Sequence, residues 1–292
     1  MKPARAGLSF VLLAAVLWGF LGLFSAALLD RGLDSTEIAF WRATFGGAAF
    51  GAHALFAGAW VRVPQRAWLG VLAFAWLGVT LFYLALVNAI DAGGISLAFI
   101  LLYTAPAWVI VLAGPVLGET VRPAQWWLVA AAMVGTALVS LSQGSGINPS
   151  AVAIVWGLLA GAGYASYYLL GRRLSERQPV VQLYALVMLI GAASLAPFVT
   201  WSAKDPVAWV LLAGVALVCT YVAYLAYAFG LARSTSSSAV VVATVEPVVA
   251  AALAWWVYGE FLGPVGLTGA VVVLASAVGA GLLSQRRAEA AA

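Results

Sequence analysis

Long apolar runs recur along almost the whole of this 292-residue chain, and they restrict its fold more than any other feature. Hydrophobic residues make up 65% of the sequence and charged residues only 8%, whereas a soluble domain carries about 25% charged residues. So few charges cannot cover a water-exposed surface. A helical run of about 20 apolar residues can cross the hydrocarbon core of a bilayer with its backbone groups paired internally. The sequence therefore predicts an all-α polytopic membrane protein.

Charges and turn residues divide the chain into ten predicted transmembrane helices. The first run follows a basic head, as in a signal peptide, but it is long and many runs follow it, so an uncleaved helix is expected. The polar segment SQGSGINPS at 142–150 predicts a linker near the midpoint. The ten predicted spans are 7–29, 36–60, 66–90, 94–117, 123–142, 150–174, 179–201, 206–232, 236–259 and 264–284.

The distribution of basic residues predicts the orientation of these spans. With the N-terminus in the cytoplasm, 11 of the 14 Lys and Arg residues fall on the cytoplasmic side and 3 on the opposite side. Cytoplasmic loops of membrane proteins carry such an excess. Both termini are therefore predicted to be cytoplasmic, which requires an even number of spans.

Two segments in corresponding positions share one pattern, YTAPAWVIVLAGPVLGE and TVEPVVAAALAWWVYGE. The sequence interval from Pro106 to Pro247 is identical to the interval from Glu119 to Glu260, and we refer to it as the repeat interval. Proline lacks an N–H and clashes with the carbonyl four residues earlier, so it weakens a helix locally. Pro106 and Pro247 are therefore candidate hinges that kink two membrane helices, although single prolines in such helices often only shape packing.

The matching segments predict an internal duplication, with one repeat over residues 1–145 and a second over 146–292. Each repeat holds five spans, and because five is odd the second repeat enters the membrane from the opposite side. We therefore predict two inverted five-helix repeats, with Glu119 cytoplasmic and Glu260 external. Inverted repeats with interrupted helices are typical of secondary transporters whose site lies near the membrane midplane.

Together with VLWGF at 16–20 and FWRATFGG at 40–47, these motifs resemble the drug/metabolite transporter superfamily, and more narrowly its EamA-domain branch. In aromatic richness and size the chain is most similar to the YddG-type aromatic amino acid exporters. The resemblance implies export of small metabolites from the bacterial cytoplasm without nucleotide hydrolysis, in a multi-pass protein of the inner membrane. It also implies that helices one to four and six to nine surround a central cavity.

Polar and aromatic side chains inside the predicted spans are the candidates for solute contact. Glu246 is a carboxylate deep in a span, where it could take up a proton, pair with an amine or cap backbone N–H groups. Aromatic walls suit apolar and aromatic solutes, and also cations, although any single aromatic residue more often only packs. The predicted solute-binding residues are Trp18, Thr80, Tyr83, Phe99, Tyr103, Tyr164, Tyr224 and Glu246.

Three other polar residues of the spans are expected to have structural roles. Arg42 and Glu37 lie near the predicted outer end of the second span, so an external salt bridge between them is expected. His53 is expected to be a packed or interfacial imidazole, with a proton relay as the alternative.

The residues predict a transporter and no enzyme. The sequence contains no phosphate-binding or metal-ligand motif, so neither a cofactor nor a metal is expected. The expected partners are an amino acid or similar amphiphile and the lipid bilayer, with no nucleic acid and with a monomer as the working assumption. The alternatives are an exporter of cationic drugs or of another metabolite, and a channel, for which no filter-like repeat is present.

Overall fold

The computed structural model describes residues 3–142, 148–259 and 261–290, and within these ranges the regular structure is entirely helical. Two π-helical turns, Trp76–Leu81 and Leu217–Val222, and one 3-10 turn, Ala196–Phe198, join or extend the helices. The α-helices are α1 Pro3–Gly19, α2 Leu21–Leu29, α3 Ser35–Phe56, α4 Gln65–Ala75, α5 Phe82–Gly93, α6 Ile95–Leu102, α7 Ala105–Leu117, α8 Pro123–Ser142, α9 Ala151–Ser175, α10 Val180–Leu195, α11 Pro206–Ala216, α12 Ala223–Leu231, α13 Ser236–Ala243, α14 Glu246–Tyr258 and α15 Pro264–Ala290.

Several consecutive short helices together form helical segments that are long enough to cross a membrane. In the described part of the chain, nine helical segments of 19 to 29 residues have the length and apolar composition of membrane spans. The helix α3 is 22 residues long, but it carries two charged residues and a histidine and is not among these nine. The all-α, multi-pass architecture expected from the sequence is therefore confirmed.

The helix boundaries repeat along the chain at the same repeat interval as the two sequence patterns. It separates the starts of α4, α5, α6, α7 and α8 from those of α11, α12, α13, α14 and α15, and the first π-helical turn from the second. Gly118 and Gly259, which end α7 and α14, both have left-handed backbones with φ of 68° and 71°. Glycine is the residue that adopts this conformation at the end of a helix without strain. Glu260 lies outside the described residues.

Two pairs of helices in equivalent places of the two halves pack against each other in antiparallel fashion. In α8 and α15, Gly135 contacts Val273, whereas Ser142 contacts Gly266. In α3 and α10, the rings of Phe50 and Tyr184 stack at a centroid distance of 5.4 Å. Small residues along these contacts let the helix backbones approach closely, as is common between membrane helices.

The two candidate hinge prolines do not kink continuous helices as the sequence predicted. A turn at Tyr103 and Thr104 separates α6 from α7, and Pro106 occupies the first turn of α7. A turn at Thr244 and Val245 separates α13 from α14 in the same way, with Pro247 in the first turn of α14. Proline is well tolerated there because the first N–H groups of a helix have no partner within the helix. The prediction of one kinked helix at each proline is therefore corrected. At each place the structure has two helices that lie end to end.

Candidate functional site

A small cavity lies at the centre of the bundle, where helices from both halves of the chain meet. Its volume is about 40 Å³, which accommodates water but no larger solute. Four predicted solute-binding residues line it, namely Trp18, Tyr164, Tyr224 and Glu246. The remaining lining residues are Leu21, Arg42, Phe82 and Leu102.

Glu246 reaches the cavity because the helix is interrupted just before it. It is the first residue of α14, and its Oε2 accepts a hydrogen bond of 3.2 Å from the hydroxyl of Tyr164 in α9. The start of a helix favours a negative charge, since unpaired N–H groups and the helix dipole point toward it. The break that brings Pro247 into a first turn therefore also places a carboxylate on the cavity wall.

The external salt bridge that the sequence predicted between Arg42 and Glu37 is not present, because Arg42 lies in the interior of the bundle. Arg42 is only 5% exposed, and its Nε donates a hydrogen bond of 2.7 Å to Oγ1 of Thr220 in the second π-helical turn. Its guanidinium lies over the ring of Tyr83 at 5.6 Å from the ring centroid. Buried charges in membrane helices mark functional sites. The signal was present in FWRATFGG, but sequence reasoning placed Arg42 at the membrane surface.

An aromatic cluster forms the wall beside these charges. The ring of Trp18 meets that of Tyr224 edge-on at 5.2 Å, and Phe82 stacks with Tyr164 at 5.9 Å. Nε1 of Trp18 and the hydroxyl of Tyr227 are buried without a hydrogen-bond partner among the described residues. Buried donors usually have partners in protein or water, and of these two residues only Trp18 lines the cavity.

The other predicted solute-binding residues lie behind or beside the cavity wall. The hydroxyl of Thr80 is 2.5 Å from that of Ser194 and joins the first π-helical turn to α10, away from the cavity. Tyr83 packs on Phe82 with a centroid distance of 4.8 Å. Phe99 and Tyr103 have ring centroids 6.3 Å apart and do not line the cavity.

His53 has a hydrogen-bond partner rather than a free imidazole. Its Nδ1 is 2.7 Å from the hydroxyl of Tyr221, which lies in the second π-helical turn. The contact joins α3 to the second π-helical turn. At the repeat interval, His53 corresponds to Ser194 and Tyr221 to Thr80, so this contact is equivalent to the one between Thr80 and Ser194. This arrangement fits the packed role expected from the sequence.

A polar cluster at one end of the bundle joins the two halves through Glu37. The carboxylate of Glu37 forms an ion pair with Lys204 and accepts a hydrogen bond of 2.5 Å from the hydroxyl of Ser202. Lys204 also lies 5.6 Å from the ring centroid of Trp41 and 5.5 Å from that of Trp209. We refer to Glu37, Ser202 and Lys204 as the Glu37 cluster.

A second polar cluster joins the halves at the opposite end of the bundle. Glu119 accepts hydrogen bonds of 3.0 and 3.1 Å from the backbone N–H of Ser236 and one of 3.2 Å from the hydroxyl of Ser237. Arg172 Nη1 lies 3.5 Å from its carboxylate. We refer to Glu119, Arg172, Ser236 and Ser237 as the Glu119 cluster. Arg172 is near the end of α9, which leads into α10, and Ser202 follows α10, so α10 spans the distance between the clusters.

The described residues contain no group of three or more His, Cys, Asp or Glu side chains that could hold a metal ion. The chemistry that the cavity offers is therefore that of charged groups, hydroxyls and aromatic rings.

Comparison with known families adds a second line of evidence. The EamA-like transporter family matches the chain twice, over residues 5–141 and 151–282. A solved crystal structure of another protein shares the fold, with a TM-score of 0.83 and 18% sequence identity over 96% of this chain and 98% of that chain.

Two relatives by sequence carry only a general description. The uncharacterized transporter YwfM of Bacillus subtilis is 27% identical over 175 residues, which is 57% of this chain and 58% of that protein. An uncharacterized transporter of Archaeoglobus fulgidus is 26% identical over 274 residues, which is 93% of this chain and 94% of that protein. Neither description names a solute.

Proposed function

Because the chain belongs to the EamA-like transporter family, within the drug/metabolite transporter superfamily, we propose that it is a secondary transporter that exports small metabolites. The proposed solutes are amino acids with aromatic or apolar side chains, as in the YddG-type exporters, carried across a bacterial inner membrane by alternating access. The observation that carries this proposal is the central cavity, because both halves of the chain build it and its lining combines aromatic rings with two opposite charges.

The proposed topology has ten spans in two inverted repeats, 1–145 and 146–292, with both termini in the cytoplasm. The helix α3 supplies the tenth span, and the partners of its charged residues Glu37 and Arg42 come from the second half of the chain. The constant repeat interval between helix starts supports the duplication. The antiparallel packing of α3 on α10 and of α8 on α15 supports the inversion, since each pair joins equivalent helices.

Alternating access is supported by the position of the two polar clusters. The Glu37 cluster and the Glu119 cluster each join the first half to the second, at opposite ends of the bundle. The cavity is too small for an amino acid, so the helices around it must move apart before a solute can bind, and we propose that each cluster closes one end of the bundle. Two equivalent halves can exchange conformations, which opens the cavity to one side and then to the other. We place the Glu119 cluster on the cytoplasmic side.

The lining favours an amphiphilic solute with an apolar side chain. Trp18, Phe82 and Tyr224 offer ring faces and edges to such a side chain, and ring contacts add to the free energy of area burial. A cationic drug would also suit the rings and Glu246. Arg42 in the same wall disfavours a solute with only positive charge.

The proposal is tested by counterflow in proteoliposomes that contain the purified protein. Vesicles preloaded with one member of a panel of amino acids, cationic drugs and other metabolites are exposed to the same labelled solute, with and without a pH gradient. We expect saturable counterflow for aromatic or apolar amino acids. Flux that rises linearly with concentration, at channel rates and with a unitary conductance, would contradict a carrier.

A further inference from the structure

Two side chains of opposite charge line the cavity without pairing with each other. No ion pair or hydrogen bond joins Arg42 to Glu246 in the described part of the chain. The Nε of Arg42 is held by Thr220, and its two Nη groups have no hydrogen-bond partner among the described residues. The carboxylate of Glu246 accepts one hydrogen bond, from Tyr164. Both groups therefore retain unused hydrogen-bonding capacity on the cavity side.

The equivalent positions in the other half carry no charge. At the repeat interval, Arg42 corresponds to Leu183 and Glu246 corresponds to Ala105. Both of these equivalents are apolar and completely buried. Thr220, which holds Arg42, corresponds in the same way to Val79. The equivalent helices form with apolar residues at these places, and buried charges are costly in membrane helices and mark functional sites there.

We infer that Arg42 and Glu246 recognise the two charged ends of a zwitterionic solute, Arg42 binding its carboxylate and Glu246 its ammonium group. This inference rests on the proposed function, since it assigns the polar contacts of the proposed transport site. The Nη groups of a guanidinium donate two parallel hydrogen bonds to a carboxylate. Thr220 fixes the guanidinium through Nε and leaves those donors free.

The aromatic lining then selects for the side chain of the solute. Trp18, Phe82 and Tyr224 line the same cavity as the two charges, so an apolar side chain contacts the rings while the charged ends meet Arg42 and Glu246. A solute with only one of the two charges leaves the other protein charge buried and uncompensated. A site built to bind a polar group rejects analogues that lack it far more strongly than an apolar pocket rejects a missing methylene.

Three related solutes separate these contacts: L-phenylalanine, phenethylamine, which lacks the carboxylate, and 3-phenylpropionate, which lacks the ammonium group. Initial uptake of each is measured in the same proteoliposome preparations, so that ratios cancel the amount of folded protein. We expect wild-type protein to prefer L-phenylalanine over either analogue by about tenfold or more. Should the panel identify another transported zwitterion, the same three-solute series is built on that compound.

The variants assign each contact to one residue. In Arg42→Gln the ratio of L-phenylalanine to phenethylamine uptake should fall toward one, and in Glu246→Gln the ratio of L-phenylalanine to 3-phenylpropionate should fall likewise. Thr220→Val keeps the charge but frees the guanidinium, so it should lower the first ratio only partly. Arg31→Gln, which removes an exposed basic residue, is the matched control and should leave both ratios unchanged.

Two outcomes would overturn the inference while leaving a transporter in place. One is a wild-type protein that takes up either singly charged analogue as fast as L-phenylalanine. The other is an Arg42→Gln variant that slows all three solutes equally, which is what a purely structural or water-bridged arginine predicts. Absence of counterflow for every member of the broad panel is a different result, since it would contradict the proposed function itself.

Discussion

At the scale of single residues, the cavity wall combines the charged side chains of Arg42 and Glu246 with aromatic rings. Trp18, Tyr164, Tyr224 and Glu246 were predicted from motif and composition, and the structure brings them together around one cavity. Arg42 was assigned to the surface because helix ends are uncertain by a few residues, which decides whether a charge is external or buried. Its partner Thr220 is far away in sequence, and no local pattern reports that contact.

The buried hydroxyls permit a stability prediction at this scale. Tyr227→Phe should leave the free energy of unfolding unchanged or raise it, because the lost hydroxyl has no partner among the described residues. Tyr221→Phe is the matched control and should lower that free energy by about 1 kcal/mol, because it removes the hydrogen bond to His53. Thermal unfolding in detergent compares the two, and an equal loss in both variants would contradict the assignment.

At the scale of helices, the sequence predicted element positions well and their interruptions less well. Most predicted spans agree with the structure to within a few residues, because apolar runs bounded by charges mark membrane helices directly. The break at Phe20 and the two π-helical turns were not predicted. A π-helical turn inserts one residue into a helix without any proline or glycine requirement, so periodicity alone does not reveal it.

The interruptions before Pro106 and Pro247 lead to a prediction about transport rate. Each proline in a helix interior costs about 3 kcal/mol relative to alanine. Alanine at both positions removes this cost, so α6 can join α7, and α13 can join α14, in continuous helices. We expect counterflow to slow several-fold, because Glu246 then loses its place at a helix start. The matched control is Pro115→Ala inside α7, which should leave transport unchanged. Wild-type kinetics in the double variant would remove the hinge role.

At the scale of the whole molecule, the interval between the two matching segments was readable from sequence, whereas the contacts between the halves were not. The interval between the two Pro and Gly-Glu patterns reappears as a constant interval between helix starts. The contacts of Glu37 with Ser202 and of Glu119 with Ser236, however, join residues that are more than a hundred positions apart. Sequence spacing does not determine which charges meet across a bundle.

The two clusters predict opposite effects on access to the cavity. A reporter cysteine replaces the cavity residue Leu102 in a Cys219→Ser background, because Cys219 is buried and is the only native cysteine. In the proposed topology, Glu119→Gln should increase labelling by a membrane-impermeant thiol reagent from the cytoplasmic side, and Glu37→Gln should increase it from the outer side.

The control for this comparison is an exposed ion pair that contributes little to stability. Arg31 and Asp205 are 3.7 Å apart and both exposed, and such surface pairs contribute roughly 0–1 kcal/mol. Asp205→Asn keeps the helix cap of α11 and should not change labelling from either side. Equal changes on both sides in the Glu37→Gln and Glu119→Gln variants would contradict two separate closures.

Protection of the same Leu102→Cys reporter by a transported solute tests the central claim most directly. If the solute binds in the cavity between the two halves, labelling should occur from each side of the membrane and should fall as solute is added. The concentration for half protection should match that for half-maximal transport. A reporter that reacts from one side only, or that a transported solute leaves fully reactive, would contradict a central site with alternating access.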